Sequence, residues 1–153
     1  MTFTSPHSER MLDLVESAKL ATRHGDVPVA AVVLGADGAV IGGGRNEREL
    51  RNDPTAHAEI LALQAAAAAK GSWNLDGCTL LVTLEPCAMC AGAILAARVP
   101  TLVFGAWDEK AGAAGSVYDL VRDRRLPHRV EVVAGVEAEA CAAPLLEFFR
   151  AKR

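Results

Sequence analysis

Apolar residues recur every three or four positions near the start and the end of the chain, which is the spacing that places them on one face of an α-helix. Two further stretches combine strong helix formers with a glycine or proline at a border. The four predicted helices cover residues 9–24, 58–70, 87–98 and 137–150. In the last helix, the side chains expected to anchor it to a core are Leu145, Leu146, Phe148 and Phe149.

Shorter apolar runs, several of them rich in β-branched residues, predict strands between these helices. The five predicted strands cover residues 27–34, 40–44, 79–84, 101–106 and 129–133. The glycines of segment 35–38 can adopt positive φ, which favours a hairpin between the first two strands. The polar segment 44–55 and the small-residue segment 110–115 are predicted as loops. Alternating strands and helices predict an α/β fold with helices on both faces of one sheet, formed by residues 1–153 as a single domain.

Composition agrees with a globular chain. Of the 153 residues, 51% are hydrophobic and 23% are charged, and the net charge of -3 excludes a globally basic surface for nucleic acid. The first residues are polar and acidic where a signal peptide needs an apolar run, and no stretch approaches the roughly 18 apolar residues of a membrane span. We therefore expect a cytoplasmic protein that does not associate with membranes.

Two short motifs contain the residue types of a metal site. His57 stands two residues before Glu59, and Cys87 and Cys90 have the CxxC spacing. One imidazole and two thiolates are good ligands for Zn²⁺, and three protein ligands leave the fourth tetrahedral position open. An open position is typical of catalytic zinc, because the pKa of a bound water falls to about 7 and the resulting hydroxide is nucleophilic.

Both motifs stand at predicted helix starts, where unpaired N–H groups and the helix dipole stabilise thiolates. Residues two apart on a helix point roughly 200° apart, so His57 and Glu59 can converge only over the end of the helix. There, Glu59 is the candidate general base that transfers protons between water, substrate and leaving group. The alternative for Glu59 is an acid that only complements the helix dipole.

Other interpretations of the cysteines remain open at this point. CxxC near a helix start is also found in redox dithiols. Cys78 or Cys141 could close a four-ligand structural zinc site in a noncatalytic binding module, although neither has a second ligand at metal spacing. We expect both to be small buried side chains in the core.

Together the motifs match the signature HxE…PCxxC of the zinc-dependent deaminases, through His57, Glu59, Pro86, Cys87 and Cys90. Beyond this signature, four segments are similar to those of the bacterial tRNA-specific adenosine deaminases. These segments are residues 53–63, 83–94, 103–116 and 128–132. The resemblance extends through most of the chain.

The resemblance implies a three-layer αβα, cytidine-deaminase-like fold with a mixed five-stranded sheet, and a homodimer with one Zn²⁺ per subunit. It implies hydrolysis of adenosine to inosine at wobble position 34 of a tRNA anticodon stem-loop, with an arginine tRNA as the expected substrate. His57, Cys87 and Cys90 would hold the metal, and Glu59 would move the protons. The residues that the resemblance places around the substrate are Asn46, Ala58, Pro86 and Asp108.

The chain departs from the family pattern at Ala30, Arg45 and Trp107, none of which belongs to the zinc motif. An RNA substrate needs local basic groups, because the chain as a whole is acidic. Three candidate clusters are Arg45, Arg48 and Arg51, then Arg122, Arg124, Arg125 and Arg129, and finally Arg150, Lys152 and Arg153. The alternative function is deamination of free cytosine or guanine, or of a nucleotide, with the same zinc and acid.

Overall fold

The computed structural model describes residues 4–152, so Arg153 of the third basic cluster lies outside the described residues. The helices are α1 (Ser8–Lys19), α2 (Arg48–Arg51), α3 (Ala58–Lys70), α4 (Ala88–Ala96) and α5 (Ala138–Ala151), with 3₁₀ turns at Leu20–His24 and Leu120–Arg122. The strands are β1 (Ala30–Leu34), β2 (Val40–Arg45), β3 (Thr79–Leu84), β4 (Thr101–Ala106) and β5 (Glu131–Val133).

The strands form one mixed sheet in the order β2-β1-β3-β4-β5. β1 runs antiparallel to both β2 and β3, whereas β3, β4 and β5 run parallel to one another. The predicted hairpin between β1 and β2 is present, with Gly38 at a φ of 84° in its turn. The mixed five-stranded sheet of the deaminase fold is therefore confirmed.

Helices cover the sheet in two layers. α1 and α5 pack against each other and against the central strands, and α3 packs on β1 and β2 and also contacts α4. Large side chains between the layers are fully buried, among them Met11, Leu81 and Phe104. In the part of the chain that the structure describes, no helix is both long enough and apolar enough to cross a bilayer.

Several predicted boundaries were wrong for local reasons. The first helix tightens into a 3₁₀ turn before Gly25, which ends it at a φ of 79°. β1 begins at Ala30 rather than at residue 27, and β5 begins at Glu131 rather than at residue 129. The polar segment predicted as a loop contains α2, because the carboxylate of Asp26 accepts hydrogen bonds from the backbone N–H groups of Glu49 and Leu50 in that helix.

The predicted anchors of the last helix were also partly wrong. Leu145 is buried, but Leu146 is 63% exposed and Phe149 is 50% exposed. The buried side of α5 instead carries Cys141, Pro144 and Leu145, which have the i, i+3, i+4 spacing of a single helix face. Adjacent residues such as Leu145 and Leu146 differ by about 100° around the axis, so they cannot both point at one core.

Candidate metal centre

The three predicted metal ligands lie at the N-terminal ends of two helices. His57 immediately precedes α3 and Cys87 immediately precedes α4, and both have extended backbone conformations rather than helical ones. Cys90 lies in the first turn of α4 and is fully buried. The two helix ends therefore bring an imidazole and two thiols to one point beside the sheet.

The distances among these ligands fit a zinc ion. Nδ1 of His57 lies 3.7 Å from Sγ of Cys87 and 3.5 Å from Sγ of Cys90. A tetrahedral ion with Zn–S bonds of about 2.3 Å and Zn–N bonds of about 2.0 Å separates nitrogen from sulfur by roughly 3.5 Å. Among the described residues, His57, Cys87 and Cys90 form the group of donors that could hold a metal, and neither Cys78 nor Cys141 belongs to it. Both of those cysteines are buried, as expected.

Hydrogen bonds among the three ligand side chains lower the pKa of one thiol, that of Cys87. The pKa of Cys87 falls to about 3, mainly because the Cys90 thiol donates a hydrogen bond to it, with His57 adding a second. The same hydrogen bond, together with burial, raises the pKa of Cys90. The pKa of His57 is also raised, first by its hydrogen bond to Cys87. The lowered pKa favours the thiolate form of Cys87, which is the form that binds metals.

Glu59 is the second residue of α3 and is buried beside the three ligands, with 4% of its surface exposed. Because His57 lies outside the helix, the two residues converge over the end of α3 without sharing a helical face. Burial raises the pKa of Glu59, and the charge of nearby His57 partly opposes this effect. A carboxyl group with a raised pKa can accept a proton and return it near neutral pH, as proton transfer in catalysis requires.

A pocket of about 150 Å³ opens beside these groups. The sequence-predicted residues that line it are Asn46, His57, Ala58, Glu59, Cys87 and Asp108. Asn46 is held in place, since its amide donates a hydrogen bond to the carbonyl of Val27 and accepts one from the N–H of Arg48. Pro86, the other predicted substrate contact, is not among the residues that line this pocket. It is buried, and its carbonyl oxygen accepts a hydrogen bond from the N–H of Ala113.

Sequence reasoning missed Glu85, which also lines the pocket and is 2% exposed. Its carboxylate accepts hydrogen bonds from the backbone N–H groups of Asp108, Ala114 and Ser116, and from the Ser116 hydroxyl. Burial alone would raise the pKa of Glu85, but these hydrogen bonds outweigh it and lower the pKa. The available signal was an acidic residue directly after an apolar strand, although its partners lie more than 20 positions away.

Trp107 and the arginines of the basic clusters differ in how freely their side chains can meet a ligand. Trp107 is 48% exposed and packs edge-to-face on Phe104, with ring centroids 4.9 Å apart. Arg51, Arg122 and Arg125 are each paired with a nearby carboxylate. Pairing lowers the charge that these arginines offer to phosphates.

The sequence of this chain is similar to those of known deaminases. The model of the MafB19-like deaminase family matches residues 5–153. The tRNA-specific adenosine deaminase of Bacillus subtilis (strain 168) is 44% identical over 143 residues, which cover 94% of this chain and 88% of that protein.

Solved structures are similar as well. One comes from studies of A-to-I editing by tRNA:A34 deaminases at the wobble position of transfer RNA. It has a TM-score of 0.84 and 37% identity and covers 92% of this chain and 100% of that chain. A guanine deaminase from Nitrosomonas europaea has a TM-score of 0.74 and 29% identity, covering 97% of this chain and 86% of that chain. The resemblance inferred from the motifs is confirmed by these comparisons: the chain belongs to the MafB19-like deaminase family and to the family of the tRNA-specific adenosine deaminases.

Proposed function

We propose that this protein hydrolyses adenosine to inosine at the wobble position of a tRNA anticodon. The observation that carries the proposal is a buried acid, Glu59, beside a His–Cys–Cys group in a pocket open to a substrate. Relatives named for tRNA adenosine deamination support the choice of substrate. An arginine tRNA is the substrate that the sequence resemblance favours.

The donor set and its spacing fit zinc, which we assign to His57, Cys87 and Cys90. When bound, zinc would supply a Lewis acid that makes water more acidic. The carboxylate of Glu59 would accept a proton from the attacking water and deliver it to the purine ring, and a second proton transfer would release the amino group as ammonia. The balanced reaction is adenosine and water to inosine and ammonia.

The volume of the pocket indicates which part of the substrate can enter it. Its volume of about 150 Å³ lies below the roughly 300–1,000 Å³ of sites for drug-sized ligands, so we propose that it takes a flipped base and leaves the backbone outside. Asn46, Ala58 and Asp108 form part of the wall and are the proposed substrate contacts.

Phosphates of the anticodon loop would then pass over the segment that follows β2. Arg45 is the last residue of β2 and immediately precedes Asn46, and Arg48 follows two residues after Asn46. Among the described residues, neither arginine takes part in an ion pair. Arg48 is close enough to the site that its charge acts on His57. A short basic segment beside the pocket is compatible with an acidic net charge, because phosphate contacts need only local cations.

The variant Glu59→Ala tests the assignment of the base. We expect it to retain one zinc ion per chain and to lose deamination of an anticodon stem-loop by at least a factor of about 10² to 10⁴, which is the usual contribution of a general base. Glu9→Ala, which removes an exposed acid on α1 away from the pocket, is the control and should keep wild-type activity. Near-wild-type activity of Glu59→Ala, at equal zinc content, would show that another group is the base.

A substrate panel separates this proposal from its alternative. The likeness to a guanine deaminase supports the alternative of a free nucleobase. Purified protein is incubated with the anticodon stem-loop of an arginine tRNA, free adenosine, cytosine and guanine, and inosine and ammonia are measured. We expect inosine only in the RNA, whereas ammonia from a free base alone would favour the alternative. The proposed homodimer is tested separately by light scattering.

A further inference from the structure

We propose that Glu85 is a positioning residue for the reaction, and that its buried carboxylate holds residues 107–116, the wall loop, against the metal centre. The inference rests on the proposed function, because deamination is what the wall loop serves. The loop follows β4, and two of its residues, Asp108 and Ala111, line the pocket together with Glu85. The position of this wall therefore depends on what holds the loop.

Both carboxylate oxygens of Glu85 are occupied by donors from the wall loop. Oε1 accepts the N–H of Asp108 at 3.0 Å and the hydroxyl of Ser116. Oε2 accepts the N–H groups of Ala114 and Ser116, each at 3.0 Å. Three of the four donors are backbone groups, so the loop requires an acceptor here whatever its own side chains are. Four donors also offset the cost of burying a carboxylate.

The shape of the loop matches the same carboxylate. A Cβ atom on Gly112 would overlap the carboxylate of Glu85, although the backbone of Gly112 is not in the left-handed region. Packing against Glu85 therefore explains this glycine. On its other side, the loop pairs with the backbone of the metal ligand Cys87 and of Pro86, through a bridge between Gly112 and Cys87 and a 2.8 Å hydrogen bond from the N–H of Ala113 to the carbonyl oxygen of Pro86.

Among the described residues, the carboxylate of Glu85 makes its hydrogen bonds to the wall loop and not to the metal ligands. Within residues 4–152, its carboxylate makes hydrogen bonds to Asp108, Ala114 and Ser116, and none of these residues is a metal ligand. The bonds join the beginning of the loop to its end. Loss of the carboxylate should therefore loosen the wall while His57, Cys87 and Cys90 still hold zinc.

The test compares Glu85→Gln with Glu9→Gln, which makes the same substitution at an exposed position of α1, outside the pocket. Glutamine keeps the size of Glu85 but points an N–H donor at two other donors. We expect amide hydrogen exchange in the wall loop to accelerate about ten- to hundredfold in Glu85→Gln, the effect of losing a charged hydrogen bond, with no change in β3 or β4. Zinc content should remain one per chain.

Kinetics on the anticodon stem-loop supply the second readout. We expect kcat/KM of Glu85→Gln to fall about ten- to hundredfold, mostly through KM, because a wall that contacts substrate is mispositioned. Ser116→Ala removes one of the four donors, and we expect a smaller fall in kcat/KM and a smaller acceleration of exchange. This variant tests the proposal if Glu85→Gln folds poorly. Glu9→Gln should match the wild type in both readouts.

The outcomes separate the two proposals. An inactive wild type with full zinc content would overturn the proposed function. With an active wild type, unchanged exchange in the wall loop of both Glu85→Gln and Ser116→Ala would overturn the positioning role. Activity that falls only in proportion to lost zinc or lost folded protein would also overturn it, since that result describes a purely structural residue.

Discussion

Replacing Gly44 with alanine tests how closely α3 must approach β2 for the metal centre to form. A Cβ atom on Gly44 would lie 2.7 Å from Cβ of Leu61 and 2.9 Å from the carbonyl oxygen of Ala58, which lies between His57 and Glu59. Ordinary contact needs at least about 3.4 Å, so strand and helix must separate by roughly 0.5–0.7 Å. The atoms that are too close belong to the backbone and to a Cβ, which no rotamer change can move.

Overpacking of this kind costs about 1–3 kcal/mol, which lowers the melting temperature of a domain of this size by roughly 2–12 °C. Displacement of the first turn of α3 also shifts His57 and Glu59, and a misplacement of about 1 Å can cost a factor of about 10² in rate. Gly43→Ala is the matched control, because its Cβ would meet its nearest neighbours at 3.5 Å. Thermal unfolding and deamination of the folded fraction are measured for both variants. Equal melting temperatures and equal rates would refute the close-contact argument.

Two further predictions concern other parts of the molecule. Burial raises the pKa of Cys141 to about 11, so at pH 8 only roughly one thiol in a thousand is ionised, and we expect alkylation by iodoacetamide to be negligible there and to increase toward pH 11. Mass spectrometry reads the labelled site, and labelling at the rate of an exposed thiol at pH 8 would contradict this expectation. For RNA binding, Arg48→Ala should weaken binding and reduce the slope of log Kd against log salt by about 1, whereas Arg125→Ala, whose cation is paired with Asp123, should change the slope less. Equal slopes for the two variants would remove Arg48 from the interface.

The metal ligands could be predicted from the sequence because few residue types bind zinc and their spacing is short. The pattern of His57, Cys87 and Cys90 also falls at helix starts that a proline or a change in polarity indicates. Helix geometry alone shows that His57 and Glu59 cannot converge on one point if both belong to a regular helix, because residues two apart point in nearly opposite directions. In the structure they do converge, because His57 lies just outside α3.

The residues that the sequence could not reveal depend on contacts between distant segments. Asp26 accepts hydrogen bonds from Glu49 and Leu50, so a polar stretch that looks like a loop contains a helical turn. Leu146 and Phe149 satisfy the apolar pattern of a helix, yet they face away from the core. Local periodicity does not determine which of two adjacent apolar positions a neighbouring element will cover.

The sheet topology explains why residues next to the ends of four different strands line one pocket. β1 is antiparallel to β2 and β3, so the end of β2, the start of β1 and the end of β3 lie at one edge of the sheet. β4 is parallel to β3 and ends at this edge too. Asn46, Val29, Glu85 and Asp108 therefore meet there despite their separation in the sequence. Helix ends hold the proposed zinc ligands at this edge, while the wall formed after β4 depends on Glu85, and this division predicts that metal binding and base binding can be impaired separately.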